Sequence, residues 1–292
     1  MVRILLILHL IFLGNSFMCH AVNISHADRK VLSAFWSYAN RHRLAELTVN
    51  RRIPVIARFF LGTPYQRNTL NVAKENLPVI NLRELDCVTF VENVLALALL
   101  EKYESRMQTA FVENIVKLRY RNGEIVDYIS RLHYSSDWLF EMQKARFLTD
   151  ITQFAGGIPY HPEMCFMSEH ADRYPPLKDK KLLDGIKKIE TEINGRTYYY
   201  IPKEKLSESC NRIKNGDIIL ITTTIKGLDT SHLGFALEQD GEIYLLHASS
   251  QGKKVMISPR PLQEYMQGIS SQSGIMVARA AKTLPGSVIE GE

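Results

Sequence analysis

The stretch Leu85-Asp86-Cys87-Val88-Thr89-Phe90-Val91-Glu92-Asn93 leads into an almost entirely aliphatic run, residues 94–100. Apolar side chains on most sides of this segment predict a buried central helix. Asp86 suits the N-cap position, so Cys87 would be the first helical residue. A thiol at that place meets the positive end of the helix dipole, which favours the thiolate. Cys87 is therefore a candidate nucleophile, and the alternative is a small residue that packs at a helix start.

The rest of the chain predicts helices first and an antiparallel sheet afterwards, which is typical of an α+β fold. Apolar spacing predicts helices over residues 25–45, 55–60, 111–117 and 178–193, with further helical residues up to Lys144. A short strand is expected at 77–82, and later strands at Ile218–Thr223, 232–238, 242–248 and 274–280. Residues 156–176 hold two glycines and four prolines and predict a long loop, such as one wall of a binding cleft.

Two histidines are predicted to meet across a hairpin. Asp240-Gly241 is a strong two-residue turn signal between two strands. If residues 240 and 241 form the turn, the numbers of two residues that face each other across the hairpin add up to 481. Gly234 then faces His247, and His232 lies diagonally opposite His247. One imidazole could then orient the other, and the nearer one could take the thiol proton. A loop longer by one residue would place the two rings on opposite faces of the sheet. The alternative interpretation is a hydrogen-bonded histidine pair in the core without a catalytic role.

Several spaced motifs resemble one family. They are Gly62-Thr63-Pro64-Tyr65, Asp86-Cys87-Val88-Thr89-Phe90, Ser231-His232-Leu233-Gly234 and His247-Ala248-Ser249-Ser250. Together they resemble the NlpC-type papain-like peptidoglycan hydrolases, and more closely the branch described as N-acetylmuramoyl-L-alanine amidase-like. The resemblance covers nearly the whole chain after the N-terminus.

The resemblance implies a papain-like core, with a catalytic cysteine at a helix start packed on an antiparallel sheet and helices added at the N-terminus. Cys87 matches the nucleophile, His232 the base and His247 the orienting residue. Tyr65 matches a tyrosine near the thiol. Val88 stands where the stem-peptide endopeptidases carry a serine that, with the aspartate, holds a free L-Ala amine. This departure favours cleavage between the muramoyl lactyl group and L-Ala.

Further side chains are expected around the substrate. Arg131, Tyr134 and Trp138 are assigned to the cleft, because aromatic faces suit a sugar ring and Arg suits a carboxylate. Trp138 in the core and Arg131 in a surface ion pair are the alternatives. The substrate-binding candidates as a set are Tyr65, Asp86, Arg131, Tyr134, Trp138 and Ser231. His133, His161 and His170 show no partner in the sequence and are expected at the surface or in loops.

The N-terminus predicts export. Arg3 precedes an aliphatic run from Ile4 to Leu13, and small residues at Cys19 and Ala21 suit a signal-peptide cut after Ala21. A lipoprotein reading of Cys19 is disfavoured by the bulky residues before it. We therefore expect residues 1–21 to be a signal peptide, residues 22–292 to form a single domain with inserted helices and loops, and the protein to be periplasmic or secreted. No later segment reaches about 18 consecutive apolar residues, so no stable membrane anchor is expected.

Charge and cysteine content narrow the function classes. The chain carries 36 basic and 31 acidic residues, and loss of Arg3 with the signal leaves a net charge of +4 (35 − 31). The basic residues are scattered without interleaved aromatics, which argues against nucleic-acid binding. Three cysteines would remain, and pairing of Cys165 with Cys210 stays open. No zinc-type spacing is present, so neither a metal nor a cofactor is expected.

The prediction is thus a monomeric cysteine amidase that acts on muropeptides, the fragments of peptidoglycan. Three alternatives remain open. They are an endopeptidase that cuts between γ-D-Glu and diaminopimelate, a catalytically silent wall-binding module, and a cysteine protease or acyltransferase with another amide substrate.

Overall fold

The computed structural model describes residues 24–71 and 77–281. The predicted signal peptide therefore lies outside the described residues. The helices of the described part are α1 (His26–Arg41), α2 (Val49–Phe59), α3 (Cys87–Ala98), α4 (Gln108–Arg119), α5 (Ser135–Lys144), α6 (Phe166–Glu169), α7 (Lys180–Asn194), α8 (Leu206–Ser209) and α9 (Leu262–Gln267). None of them is long and apolar enough to cross a membrane.

Eight strands form one sheet in the described part of the chain. They are β1 (Leu148–Asp150), β2 (Ile158–Tyr160), β3 (Tyr198–Pro202), β4 (Ile218–Thr223), β5 (Thr230–Gln239), β6 (Glu242–Ser249), β7 (Lys254–Ile257) and β8 (Gln272–Ala280). Their order is β2-β3-β8-β4-β5-β6-β7, and β1 also pairs with β8. All the pairings are antiparallel, which confirms the predicted α+β class with an antiparallel sheet.

The two faces of the sheet pack against different layers. Along β4, Ile218 and Leu220 belong to the larger core, which also contains the buried residues of α1 to α5. Ile219 and Ile221 point to the other face, into a smaller core with residues of α8 and α9. Because successive strand residues alternate in direction, one all-buried strand serves both cores.

The sequence-based prediction of a strand at residues 77–82 is wrong. These residues have no regular structure. The turn that precedes α3 explains the apolar pattern: Leu82 is buried, and its N–H donates to the Asp28 carboxylate on α1 at 3.0 Å. The alternation therefore reflects anchoring of a loop rather than pairing with a neighbouring strand.

The long segment 156–176 is mostly loop, as predicted, but it contains β2 and the single turn α6. It forms no part of the wall of the cavity beside α3 in the described structure. Instead it lies behind that wall, where the Met167 N–H donates to the Tyr134 hydroxyl at 3.0 Å. Four short strands (β1, β2, β3 and β7) were not predicted, because three to five residues give too little periodicity to recognise.

Candidate active site

Cys87 is the first residue of α3, as the sequence predicted. The Asp86 carboxylate accepts a hydrogen bond from the Thr89 N–H at 2.8 Å, and the Asp86 N–H donates to the Thr89 hydroxyl at 3.0 Å. This reciprocal capping box fixes where the helix begins. It leaves the N–H groups of Cys87 and Val88 without partners inside the helix, pointing toward the end that carries the thiol.

Helix α3 packs against β5, which brings Cys87 next to the first histidine. The Phe90 and Phe235 rings meet edge to face, with centroids 5.6 Å apart. At the start of the helix, the backbone N–H of Leu233, the residue after His232, lies close enough to the thiol to lower its pKa. Within the described residues the thiol and the His232 ring are not hydrogen-bonded to each other in this conformation.

The two histidines form a direct pair. His232 Nε2 lies 2.6 Å from His247 Nδ1, and the ring planes are nearly perpendicular at 89°. The hairpin register is the predicted one, since Gln239 faces Glu242 and Phe235 faces Leu246. Glycine at position 234 is required between the strands, because a Cβ there would lie 2.9 Å from the Leu246 carbonyl oxygen and 3.0 Å from the His247 Cβ.

Burial sets the charge state of these three groups. It raises the pKa of the Cys87 thiol to about 12, with a further increase from the Asp86 carboxylate. The backbone N–H groups of Leu233, Val88 and Cys87 act in the opposite direction and lower that pKa. Burial lowers the pKa of His232 to about 4 and that of His247 to about 3. The resting site at neutral pH therefore holds a neutral thiol and two neutral imidazoles.

Tyr65 is held beside the thiol by backbone pairing on two sides. Its N–H donates to the Lys253 carbonyl at 2.9 Å, and the Leu85 N–H donates to the Pro64 carbonyl at 3.0 Å. The segment thus bridges the loop before β7 and the residue that precedes Asp86. Burial raises the pKa of the Tyr65 hydroxyl, and the negative charge of Asp86 raises it further.

A cavity of about 170 Å³ lies along the side of α3 that carries Val88, and the side chains of Asp86 and Val88, on either side of Cys87 in the chain, line it, whereas Cys87, His232 and His247 do not. It includes Asp86, Arg131, Tyr134 and Trp138 from the predicted set. Its lining residues are Asn68, Leu70, Asn71, Asp86, Val88, Val91, Glu92, Arg131, Leu132, His133, Tyr134, Ser135, Trp138 and Leu233.

The three predicted cleft residues have other contacts as well. The Tyr134 hydroxyl donates to the Glu190 carboxylate at 2.7 Å, and the Trp138 indole N–H donates to the Leu118 carbonyl at 2.9 Å. Both rings are buried, so Trp138 combines the core and the cleft interpretations. Arg131 is 8% exposed and donates to the Leu70 carbonyl at 3.0 Å, so it is buried in the cavity wall rather than placed at the surface.

Two features of the cleft were not predicted from the sequence. Glu92 lies on α3 in line with Val88, and its carboxylate accepts hydrogen bonds from buried Arg119 at 2.7 Å. Its position four residues after Val88 is the signal that could have revealed it. His133 was expected at the surface or in a loop; it lies in the loop before α5, where it is partly buried, lines the cavity and contacts the Tyr128 carbonyl through Nε2 at 2.8 Å. Burial lowers the pKa of His133 to about 3.

Ser231 is exposed on β5 beside His232 and does not line this cavity. All three cysteines in the described residues are free thiols, so Cys87 is not consumed by a disulfide and Cys165 is not bonded to Cys210. In the same part of the chain, no group of three or more His, Cys, Asp or Glu side chains is arranged to hold a metal ion.

Comparisons with known proteins show one family. The sequence model described as N-acetylmuramoyl-L-alanine amidase-like matches residues 55–275. An N-acetylmuramoyl-L-alanine amidase from Bacteroides uniformis ATCC 8492 is 38% identical, with a TM-score of 0.76 over 80% of this chain and 99% of that one. A Bacteroides fragilis protein provisionally described as a xylanase is also 38% identical, with a TM-score of 0.72 over 77% of this chain and 98% of its own.

A more distant structure, a DUF1460 protein from Legionella pneumophila str. Philadelphia 1, is 25% identical. Its TM-score is 0.64 over 89% of this chain and 96% of its own. A search of curated proteins gave no match.

Proposed function

This chain belongs to the N-acetylmuramoyl-L-alanine amidase-like family, and on that premise we propose that it is a cysteine-dependent peptidoglycan amidase. Cys87 is the nucleophile, His232 the base and His247 the residue that orients the base, within a papain-like core. The observation that carries the proposal is a free thiol at the start of α3, close to the backbone of Leu233, together with the direct pairing of His232 and His247 on the adjoining strands.

The hydrogen bond between the two histidines supports one proton path. Nε2 of His232 is engaged with His247, so Nδ1 is the ring nitrogen left to accept the thiol proton. A neutral His232 that accepts at Nδ1 carries its hydrogen on Nε2 and donates it to His247 Nδ1. His247 therefore fixes the tautomer that a base requires, as the third member of a catalytic triad does.

The reaction proceeds by acyl transfer. As the thiol proton moves to His232, sulfur bonds to the amide carbon and the carbonyl oxygen becomes an oxyanion. The N–H groups of Cys87 and Val88, which have no partner inside the helix, are the donors that we assign to that charge. The C–N bond then breaks and His232 gives its proton to the leaving amine. Water hydrolyses the thioester with His232 again as base, which releases a carboxylic acid and restores the thiol.

The proposed bond is the amide between the muramoyl lactyl group and L-Ala. Val88 is 37% exposed and lines the cavity together with Leu132 and Leu233. Position 88 therefore offers no hydroxyl to bind the free amine that an endopeptidase substrate presents at L-Ala.

The test is digestion of defined muropeptides by wild type and Cys87→Ala, followed by mass spectrometry. Release of an intact stem peptide by wild type alone supports the proposal. Cleavage within the stem would identify an endopeptidase. If wild type releases nothing that Cys87→Ala does not, the amidase hypothesis fails, and a silent wall-binding module or an enzyme for other amides remains.

We also propose that the protein is exported and acts as a monomer on the wall or its fragments. The support for export is the sequence of residues 1–21. Processing is tested by N-terminal sequencing of protein recovered from the periplasm or medium of the producing bacterium, where a first residue other than Val22 would contradict the predicted cut.

A further inference from the structure

His247 is almost completely buried at a place where the hairpin pairing has already ended. The pairing of β5 with β6 ends at Phe235 and Leu246, so His247 lies just beyond the last paired residues. On its other side β6 continues to pair with β7, where the partly buried Met256 faces His247. The His247 side chain is nevertheless only 1% exposed. Its burial therefore depends on packing from a further element.

Helix α9 supplies an aromatic ring against His247. Leu262 and Met266, four residues apart, are buried in the smaller core and anchor the helix to the sheet. Tyr265 lies on the same helix, and its ring meets the His247 ring edge to face, with centroids 5.5 Å apart and planes at 75°. Tyr265 is itself partly exposed, so it lies between His247 and solvent. Because edge-to-face contact is a preferred geometry of aromatic pairs, it favours one orientation of the His247 ring.

Within the described part of the chain, a single hydrogen bond holds the His247 ring. Its Nδ1 accepts the hydrogen of His232 Nε2 at 2.6 Å in the tautomer assigned above, so its own Nε2 carries the remaining hydrogen. Among the described residues, no oxygen or nitrogen accepts a hydrogen bond from that Nε2. The orientation of the ring thus depends on the contact with His232 and on the packing against Tyr265.

The protonation of the pair depends on burial. The titratable groups on the elements around it are His232 on β5, Asp86 and Cys87 on α3, Glu264 and Tyr265 on α9, and Lys254 on β7. Burial is the main cause that lowers the pKa of His247, and the charge of His232 lowers it further. In the described structure no carboxylate raises the pKa of either histidine. Burial also raises the pKa of the Tyr265 hydroxyl, so that group is neutral at pH 7.

We propose that Tyr265 is a positioning residue for the catalytic pair: its ring closes the solvent side of His247 and holds His247 in the orientation that accepts the hydrogen of His232. The proposal rests on the proposed function, in which His232 is the base and His247 orients it. Tyr265 does not line the cavity beside α3, so it acts through His247 rather than on the substrate. Its loss should therefore change the base and leave substrate binding intact.

Solvent access to His247 is measured first, without turnover. Diethyl pyrocarbonate acylates neutral imidazoles that solvent can reach, and tandem mass spectrometry locates the product. The variants are Tyr265→Ala, which removes the ring, and Tyr265→Phe, which keeps it. The matched control is Tyr244→Ala, at a partly buried tyrosine on β6 that packs against the larger core on the opposite face of the sheet. At pH 7, His247 should be modified in Tyr265→Ala and protected in wild type and in the other two variants.

The same variants are then compared in the hydrolysis of a defined muropeptide. In Tyr265→Ala water reaches the pair, whose two rings titrate as a unit, so the pKa of the base should rise from about 4 toward the ordinary histidine value. The acid fall of kcat/KM should move to higher pH by roughly one pH unit or more. Loss of the fixed orientation should lower kcat about tenfold with little change in KM. Tyr265→Phe should rescue both properties.

Protection of His247 in Tyr265→Ala, or an unchanged pH profile, would overturn the proposal. Equal changes in Tyr244→Ala would do the same, as would a Tyr265→Phe protein that behaves like Tyr265→Ala. Unfolding temperatures check that each variant folds. If Tyr265→Ala does not fold, Tyr265→Leu, which keeps part of the apolar volume, should show the same directions with smaller changes. If wild type hydrolyses no muropeptide, the proposed function fails, whereas modification of His247 still decides whether Tyr265 shields it.

Discussion

His232 Nε2 and His247 Nδ1 face each other at 2.6 Å, and His247 is 1% exposed. A contact this short between two neutral rings requires that one nitrogen carry a hydrogen and the other accept it. The burial of His247 excludes water from the pair, so the proposed base has a protein partner in place of solvent. The following predictions begin with this contact.

Replacement of His247 by Ala should lower kcat by about 100-fold or more, because His232 loses the group that fixes its tautomer. His247→Gln keeps a polar group at the position and should recover part of the loss. Steady-state kinetics on a defined muropeptide measure both variants. A purely structural role for His247 predicts instead equal losses in the two variants and a lowered unfolding temperature in both.

Because the thiol of Cys87 and the ring of His232 are both neutral at rest, the rate at which Cys87 is alkylated should depend on pH. Since burial raises the pKa of the thiol to about 12, alkylation by iodoacetamide should be slow at pH 7 and should accelerate up to pH 10. Cys87→Ser is the control that isolates this thiol from Cys165 and Cys210. A rate that is already maximal at pH 6 would show a thiolate–imidazolium pair and contradict the assignment.

The enzyme should lose activity only at acidic pH. The pKa of His232 is lowered to about 4, so the base stays unprotonated down to roughly pH 5. The pH profile of kcat/KM should therefore fall on the acid side near pH 4 rather than near the ordinary histidine value of 6.5. A fall in kcat/KM centred at pH 6 to 7 would show that the burial of His232 in the substrate-free protein does not set this pKa.

Stability should decline as pH falls from 7 to 4. His133, His232 and His247 have pKa values of about 3 to 4 when folded and about 6.5 when unfolded. Between these values the unfolded chain binds more protons, so the free energy of unfolding decreases with decreasing pH. Thermal unfolding should show a drop of roughly 5 °C or more. His133→Gln should flatten the slope, whereas His161→Gln, at an exposed position, should leave it unchanged.

The buried pair of Glu92 and Arg119 should be costly to break. Arg119→Met leaves the Glu92 carboxylate buried without its cation and should reduce the free energy of unfolding by about 3–5 kcal/mol. The double variant with Glu92→Leu should recover most of that loss, because no buried charge remains. Urea unfolding of both proteins measures the difference, and additive losses in the double variant would contradict the coupling.

Local signals in the sequence were sufficient for the start of α3 and for the β5–β6 hairpin. The position of Cys87 follows from Asp86 as a cap, and the register of the histidines follows from Asp240-Gly241. Each depends on residues a few positions apart, which propensity and turn chemistry determine. The same reasoning failed at residues 77–82, because apolar alternation does not distinguish a strand from an anchored loop.

Only the tertiary structure decided what surrounds the thiol. The Leu233 N–H reaches Cys87 across 146 positions of sequence, and Arg119 neutralises Glu92 from another helix. The pKa values of Cys87 and His232 depend on how much protein excludes water from them, a property of packing rather than of residue type. The sequence by itself thus determined which groups are present and where α3 begins, whereas packing determined their protonation and the shape of the cleft beside them.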